Sequence, residues 1–211
     1  MRTSGQRGVG KTFSPRFRGN SPDGIGTPEG QSPYGEWSDG KRFESSWARH
    51  KKKIFTLEKD IFFMRIALEE AVIAFNKGEV PVGAVLVVNG EIISRAHNMK
   101  ESLSDPTAHA EITAIKEASL KLKKWRLNDA ILYVTKEPCL MCAGALQNMR
   151  AFRLVFGCKD EKGGAVESLY SVLSDRRLNH QIEVTSGVLE KECRDILREF
   201  FKNLRHNSSE Y

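Results

Sequence analysis

No run of roughly 18 or more apolar residues occurs in the 211-residue sequence, and no apolar stretch of about 7 to 15 residues lies near its N-terminus. These two absences argue against membrane insertion and against export, and they point to a cytoplasmic protein. Cysteine is scarce, and four in a chain without an export signal point away from a disulfide scaffold and toward reduced thiols, metal binding or catalysis. No internal repeat at a period of about 20 to 50 residues is visible, so a solenoid or propeller is excluded. Aromatics are few, at 9%, while charge is plentiful at 28%.

The formal charge of +6 suggests an acidic partner such as nucleic acid until it is divided along the chain. Residues 1–57 hold 11 Lys/Arg against 5 Asp/Glu, together with 9 of the 17 Gly and 4 of the 7 Pro; the remainder is balanced at 22 against 22. The N-terminal segment shows neither a period-2 nor a period-3.6 apolar pattern, and too little apolar surface to offset the entropy of ordering it. Residues 1–57 are therefore expected to be a disordered basic extension. Within them Gly5 to Thr12 fits the phosphate-loop pattern G-x-x-x-x-G-K-[ST], but no strand precedes Gly5 and Pro15 blocks the helix that should follow, so the match is fortuitous. Five basic and no acidic residues among the first 20 leave organelle import as a minor alternative.

From Asp60 the pattern changes. Ile61, Met64, Leu68, Ala71, Val72 and Phe75 recur at helical spacing, with Glu69, Glu70 and Lys77 on other faces and Gly78 as a stop. Val82 to Val88 and Glu91 to Arg95 read as strands joined at Asn89-Gly90, the preferred two-residue hairpin turn. A loop to Pro106 precedes a helix over 108–122. Strands are expected over 130–135, 153–156 and 182–185, and helices over 140–148 and 189–204. Helices alternating with strands imply an α/β layered domain over about 58–206, followed by a short tail at 207–211.

The chemistry is concentrated in two short motifs. Cys139-Leu140-Met141-Cys142 follows Pro138 where a strand meets a helix, a place where the helix dipole favours thiolates. Thirty residues upstream, His109-Ala110-Glu111 opens another helix. One histidine and two cysteines leave a corner of a tetrahedral zinc open, as catalysis requires, and Glu111 beside it is placed to move protons. A structural site would need a fourth ligand, for which His97 and Cys158 are the nearest candidates. A redox pair is the other reading of C-x-x-C.

H-x-E followed by P-C-x-x-C is the signature of zinc-dependent nucleobase deaminases. Residues 58–201 resemble the bacterial tRNA-specific adenosine deaminases of the cytidine/deoxycytidylate deaminase superfamily. The resemblance runs through the blocks Glu79–Val87, Asp105–Ile112, Arg126–Thr135, Glu137–Ala145, Asp160–Ser168 and Asn179–Thr185. It implies a three-layer cytidine-deaminase-like fold, with a mixed central sheet of about five strands covered by helices. It further implies a homodimer with one Zn2+ per subunit, and conversion of the wobble adenosine of an arginine tRNA anticodon to inosine. On this resemblance His109, Cys139 and Cys142 hold zinc, Glu111 is the proton shuttle and Asn98 hydrogen-bonds the target base. Pro81, Val82, Ala110, Pro138, Asp160 and His180 match substrate-contacting positions, and Phe200, Phe201, Lys202 and Arg205 the RNA-facing end of the last helix. A deaminase of free guanine or cytosine on the same scaffold is the alternative, and a non-catalytic zinc-containing RNA-binding subunit a further one. Because the charge after Leu57 sums to zero, RNA binding would rest on local patches, such as Lys121, Lys123, Lys124 and Arg126, or Arg150 and Arg153. Deleting residues 2–57 is expected to leave a folded, active protein with at most a weakened salt-dependent component. Loss of cooperative thermal unfolding in the truncated chain would overturn the two-part division.

Overall fold

Val82 to Val88 and Ala130 to Thr135 are almost continuously apolar, as suits strands covered on both faces rather than half-solvated ones. The computed structural model, which describes residues 56–208, places both runs in the middle of a five-stranded sheet. The expected extension over 1–57 lies, apart from its last two positions, outside the described residues. In chain order the elements are α1 (Leu57–Asn76), β1 (Gly83–Val88), β2 (Glu91–His97), a one-turn α2 (Lys100–Leu103), α3 (Ala110–Leu122), β3 (Ala130–Lys136), α4 (Leu140–Met149), β4 (Arg153–Cys158), β5 (Glu183–Thr185) and α5 (Glu190–Ser208). A 3-10 turn at Val172–Ser174 lies between β4 and β5.

The sheet order is β2-β1-β3-β4-β5. β1 is antiparallel to both β2 and β3, whereas β3, β4 and β5 run parallel, so the sheet is mixed. Asn89 and Gly90 both adopt positive φ, 53° and 85°, the requirement of a type I′ hairpin turn. Alternation along the strands divides the core in two. Ala84, Leu86, Leu132, Val134, Leu154 and Phe156 face α3 and α4 through Ala114, Ala118, Ala143 and Leu146. Val85, Val87, Ile131, Tyr133 and Val155 face α1 and α5 through Phe63, Met64, Ala67, Cys193 and Leu197. The expected three layers are thus present. At Gly83, where α1 crosses β1, a Cβ would collide with the Ala67 carbonyl, which explains a glycine inside a strand. Among the described residues no helix is long and apolar enough to cross a membrane.

Two expectations need correction. The buried face of α1 is Phe63, Met64, Ala67, Glu70, Ala71 and Ala74, so Val72 is exposed and Glu70 is not on an outer face. Glu70 turns inward because β2 supplies its partners, Arg95 Nε at 2.9 Å and His97 Nδ1 at 3.0 Å. Arg153, expected in an RNA-facing patch, is 5% exposed. Its guanidinium donates twice to the Asp60 carboxylate, at 2.9 Å each, and once to Thr185 Oγ1 at 2.6 Å, while Tyr133 donates its hydroxyl to the same carboxylate at 2.9 Å. This network ties α1 to β3, β4 and β5. Removing one partner of a buried pair leaves the other charge uncompensated, so Asp60→Ala should cost about 3–5 kcal/mol in urea unfolding. A loss below about 1 kcal/mol would show that the pair is not a structural tie.

Candidate active site

Parallel pairing of β3 with β4 requires a crossover, and α4 is that crossover: the chain leaves the C-terminal end of β3, passes Glu137-Pro138 and enters the helix with Cys139 as N-cap residue. His109 is the N-cap residue of α3, on the same side of the sheet. Both caps have extended backbone (φ −70°, ψ 151° and φ −75°, ψ 176°), and neither carries the Ser, Thr, Asp or Asn oxygen that ordinarily caps a helix. Before α3, Asp105 Oδ1 accepts hydrogen bonds from the backbone N–H (2.8 Å) and hydroxyl (2.7 Å) of Thr107, folding the Asp-Pro-Thr segment back toward His109.

The two helix starts bring three ligand atoms together. Cys139 Sγ and Cys142 Sγ are 3.7 Å apart, and His109 Nδ1 is 3.7 Å from the first and 3.5 Å from the second. Zinc bonds of about 2.3 Å to sulfur and about 2.0 Å to nitrogen at a tetrahedral angle would separate sulfurs by roughly 3.8 Å, and sulfur from nitrogen by roughly 3.5 Å. The donor set and its spacing therefore fit zinc. The Cys139 thiol is drawn down to about 3, first by the hydrogen bond from Cys142 and then by His109, against the effect of burial. Cys142 is pushed up by the same hydrogen bond and by burial. Glu111, in the first turn of α3, is buried, and its carboxyl is raised above the ordinary range chiefly by that burial.

Neither candidate fourth ligand joins this group. His97 pairs with Glu70 and with Lys77 Nζ at 3.0 Å, and the Cys158 thiol donates to the Thr135 carbonyl at 3.5 Å. Among the described residues, the three atoms of His109, Cys139 and Cys142 form the candidate metal cluster.

A cavity of about 210 Å³ opens beside the cluster. Val82, Asn98 and Asp160, all expected from sequence, line it together with His109, Glu111 and Cys139; Lys100, Lys136, Glu137, Val80 and Phe201 complete the wall. Pro81, Ala110 and Pro138, also expected from sequence, are buried and do not line the cavity. His180 bonds at 2.7 Å to the Ala151 carbonyl, past the C-terminal end of α4, so within this chain it is not brought to the pocket. The two phenylalanines of α5 separate: Phe200 is 6% exposed and packs edge-on against Phe75, whereas Phe201 is 43% exposed and faces the cavity.

Lys136, Asp160 and Phe201 also belong to a larger neighbouring groove of about 830 Å³, lined further by Lys159, Lys162, Arg198, Lys202 and Arg205. Lys136 Nζ and Asp160 Oδ2 pair at 2.7 Å where the two cavities join. Arg194, Arg198, Phe201 and Arg205 recur at helical spacing, so the stripe of which sequence pointed to Phe201 and Arg205 also takes in Arg194 and Arg198. Two buried acids also escaped notice. Glu137 accepts backbone N–H bonds from Asp160, Val166, Glu167 and Ser168, at 2.7–3.1 Å, and the Ser168 hydroxyl. Burial would raise its carboxyl, but these donors, Ser168 foremost, hold it at about 2, and so pin the loop carrying Asp160 against the cysteine helix. Glu79 stands behind Asn98.

Residues 58–205 match the MafB19-like deaminases. The chain belongs to that family. Among its relatives, the tRNA-specific adenosine deaminase of Bacillus subtilis (strain 168) is 52% identical over 149 residues, covering 71% of this chain and 92% of that protein. A structure from a study of A-to-I editing by tRNA:A34 deaminases at the wobble position of transfer RNA superposes with a TM-score of 0.62 at 47% identity, covering 64% of this chain and 98% of that one. A guanine deaminase from Nitrosomonas europaea superposes with a TM-score of 0.59 over 65% of this chain and 82% of its own, but at 23% identity it shares the fold alone.

In this deaminase the metal cluster yields a direct test. Cys139→Ala should lose stoichiometric zinc, read by elemental analysis of the purified protein, whereas Cys158→Ala should retain it. Unchanged zinc in Cys139→Ala would remove that thiol from the coordinating set.

Proposed function

We propose that this deaminase converts adenosine at the wobble position of a tRNA anticodon to inosine by hydrolysis at adenine C6. The observation that carries the reading is Glu111, a buried acid beside the His109–Cys139–Cys142 cluster in a cavity of single-base size that opens into a basic groove. At about 210 Å³ the cavity is smaller than the roughly 300–1,000 Å³ typical of sites for drug-sized ligands, which suits one base turned out of its strand. The high identity to a tRNA-specific adenosine deaminase supports adenosine over the free guanine or cytosine alternatives.

His109, Cys139 and Cys142 would hold the zinc. When bound, that ion supplies Lewis acidity and lowers the pKa of a coordinated water to about 7. Asn98, lining the pocket, orients the base by hydrogen bonding. Glu111 takes a proton from the attacking water and delivers it to ring N1 as the C6–O bond forms. It then takes the proton of the new C6 hydroxyl and passes it to N6, the C6–N6 bond breaks, and ammonia leaves. The ring retains the proton on N1 and carries oxygen at C6, which is inosine. Burial raises the carboxyl above its ordinary value, the direction that makes its ionised form a better proton acceptor.

The groove serves the RNA backbone flanking the target. Lys159, Lys162, Arg198, Lys202 and Arg205 give it a local positive charge although the chain after Leu57 is neutral in sum. An arginine tRNA is the substrate the family resemblance favours. Leu140, Leu169 and Tyr170, each about half exposed, offer apolar surface for a homodimer. A tRNA substrate fits a cytoplasmic location, with organelle import through residues 1–57 the minor alternative.

Incubation with an anticodon stem-loop bearing a wobble adenosine, beside free guanine, cytosine and adenosine, should yield inosine in the RNA alone. Deamination of a free base at comparable rate would favour the alternative. Glu111→Ala should keep its zinc and lose turnover by at least about 10²-fold; near-parental turnover would remove Glu111 from proton transfer. Charge reversal at Arg198 and Lys202 should raise KM for the stem-loop and flatten its salt dependence, with kcat little changed.

A further inference from the structure

Glu79 lies between α1 and β1, fully buried, and does not line the pocket. Its carboxylate is nonetheless saturated with donors from the segment that follows β2. Asn98 Nδ2 donates to Oε2 at 3.1 Å, as does the Glu101 backbone N–H at 3.2 Å. The Ser102 backbone N–H and hydroxyl donate to Oε1 at 2.7 and 2.8 Å. Burial would raise this carboxyl, but the Ser102 and Glu101 donors bring it below the ordinary value, so it is ionised at neutral pH. An ionised carboxylate only accepts hydrogen bonds. Asn98 must therefore turn its NH2 group toward Glu79, because the reverse orientation would oppose two buried acceptor oxygens. One Nδ2 hydrogen is thereby committed. The carbonyl oxygen and the second hydrogen are left for whatever enters the pocket that Asn98 lines.

We infer that Glu79 is a positioning residue for the target base: its carboxylate fixes which way round Asn98 presents its amide, so that every incoming base meets the same donor and acceptor. This role rests on the proposed function, in which Asn98 contacts the base. Glu79 acts on the same segment a second way, since the Glu101 and Ser102 bonds hold the turn that carries Lys100 into the pocket wall. Among the described residues, the other hydrogen bond of Asn98 runs from its backbone N–H to the Val82 carbonyl, which sets the chain but does not orient the side-chain amide.

Replacement of Glu79 by glutamine removes the constraint with little change of volume, because a second amide can offer Asn98 either an oxygen or an NH2 group. Glu79→Gln should lower kcat/KM on the anticodon stem-loop by about tenfold or more. In an Asn98→Ala background the same change should cost clearly less than in the parent, since the group it positions is gone and only the turn carrying Lys100 is left to disturb. Ser102→Ala, which removes a different partner of Glu79, should stay within about threefold of the parent. Should Glu79→Gln not fold, Glu79→Asp, which draws the carboxylate back from Asn98, carries the same cycle. The Asn98 side-chain NH2 resonance in 15N-labelled protein gives a readout independent of turnover and should move in Glu79→Gln. Full multiplicative loss in the Asn98→Ala background, kcat/KM within twofold for Glu79→Gln alone, or an unmoved Asn98 resonance would each overturn the assignment. A parent protein that forms no inosine in the stem-loop would defeat the proposed function instead, and the resonance would still decide the orientation.

Discussion

Two helices begin at the same place, and the pocket depends on that coincidence. The N-cap positions of α3 and α4, where Ser, Thr, Asp or Asn would ordinarily satisfy an open backbone N–H, hold His109 and Cys139 with their ligand atoms gathered at one cluster. Forgoing a capping side chain costs about 1 kcal/mol at each helix. The N-terminal ends of both dipoles are in exchange aimed at a site that gathers thiolate and carboxylate. A sequence chosen for stability alone would not make this choice twice on one face of a sheet. Such a local conflict with helix propensity is what a functional site looks like from the standpoint of folding.

Around those helix starts the chain uses buried acids as fasteners. Asp60 ties the helix layer of α1 to three strands, Glu70 ties it to β2, Glu79 holds the segment after β2, and Glu137 holds the loop after β4. Each carboxylate gathers donors from elements distant in sequence. The pocket wall is therefore made of loops, but loops anchored to the rigid layers beneath them.

Much of the architecture was legible because it follows from local rules. The Asn-Gly hairpin, the apolar runs of β1 and β3, and the spacing of His109, Glu111, Cys139 and Cys142 all announce themselves within short windows. What was illegible is what needs a partner. Glu70 and Arg153 are charged residues on a helix and a strand, and polarity alone assigns them to the surface; their partners are 25 and 93 positions away. The single-turn α2 is too short for periodicity, and its backbone is fixed by a side chain from before β1. His180 is drawn to a backbone carbonyl that no sequence pattern advertises. Phe200 and Phe201 are adjacent and chemically identical, and only the packing of α5 on α1 separates them.

The shared wall between the small cavity and the basic groove has an energetic consequence. Lys136, Asp160 and Phe201 line both, so on the proposed function a base in one and the strand to which it belongs in the other would be held by a common surface. Turning a base out of its stack costs a few kcal/mol. Attraction between the groove and the neighbouring phosphates can offset that cost only if base and phosphates are covalently joined, so remote contacts drive entry of the reacting group. A free nucleoside, having no such neighbours, has nothing with which to occupy the groove, so on the proposed function selectivity for a polymer would arise without any clash that rejects the monomer.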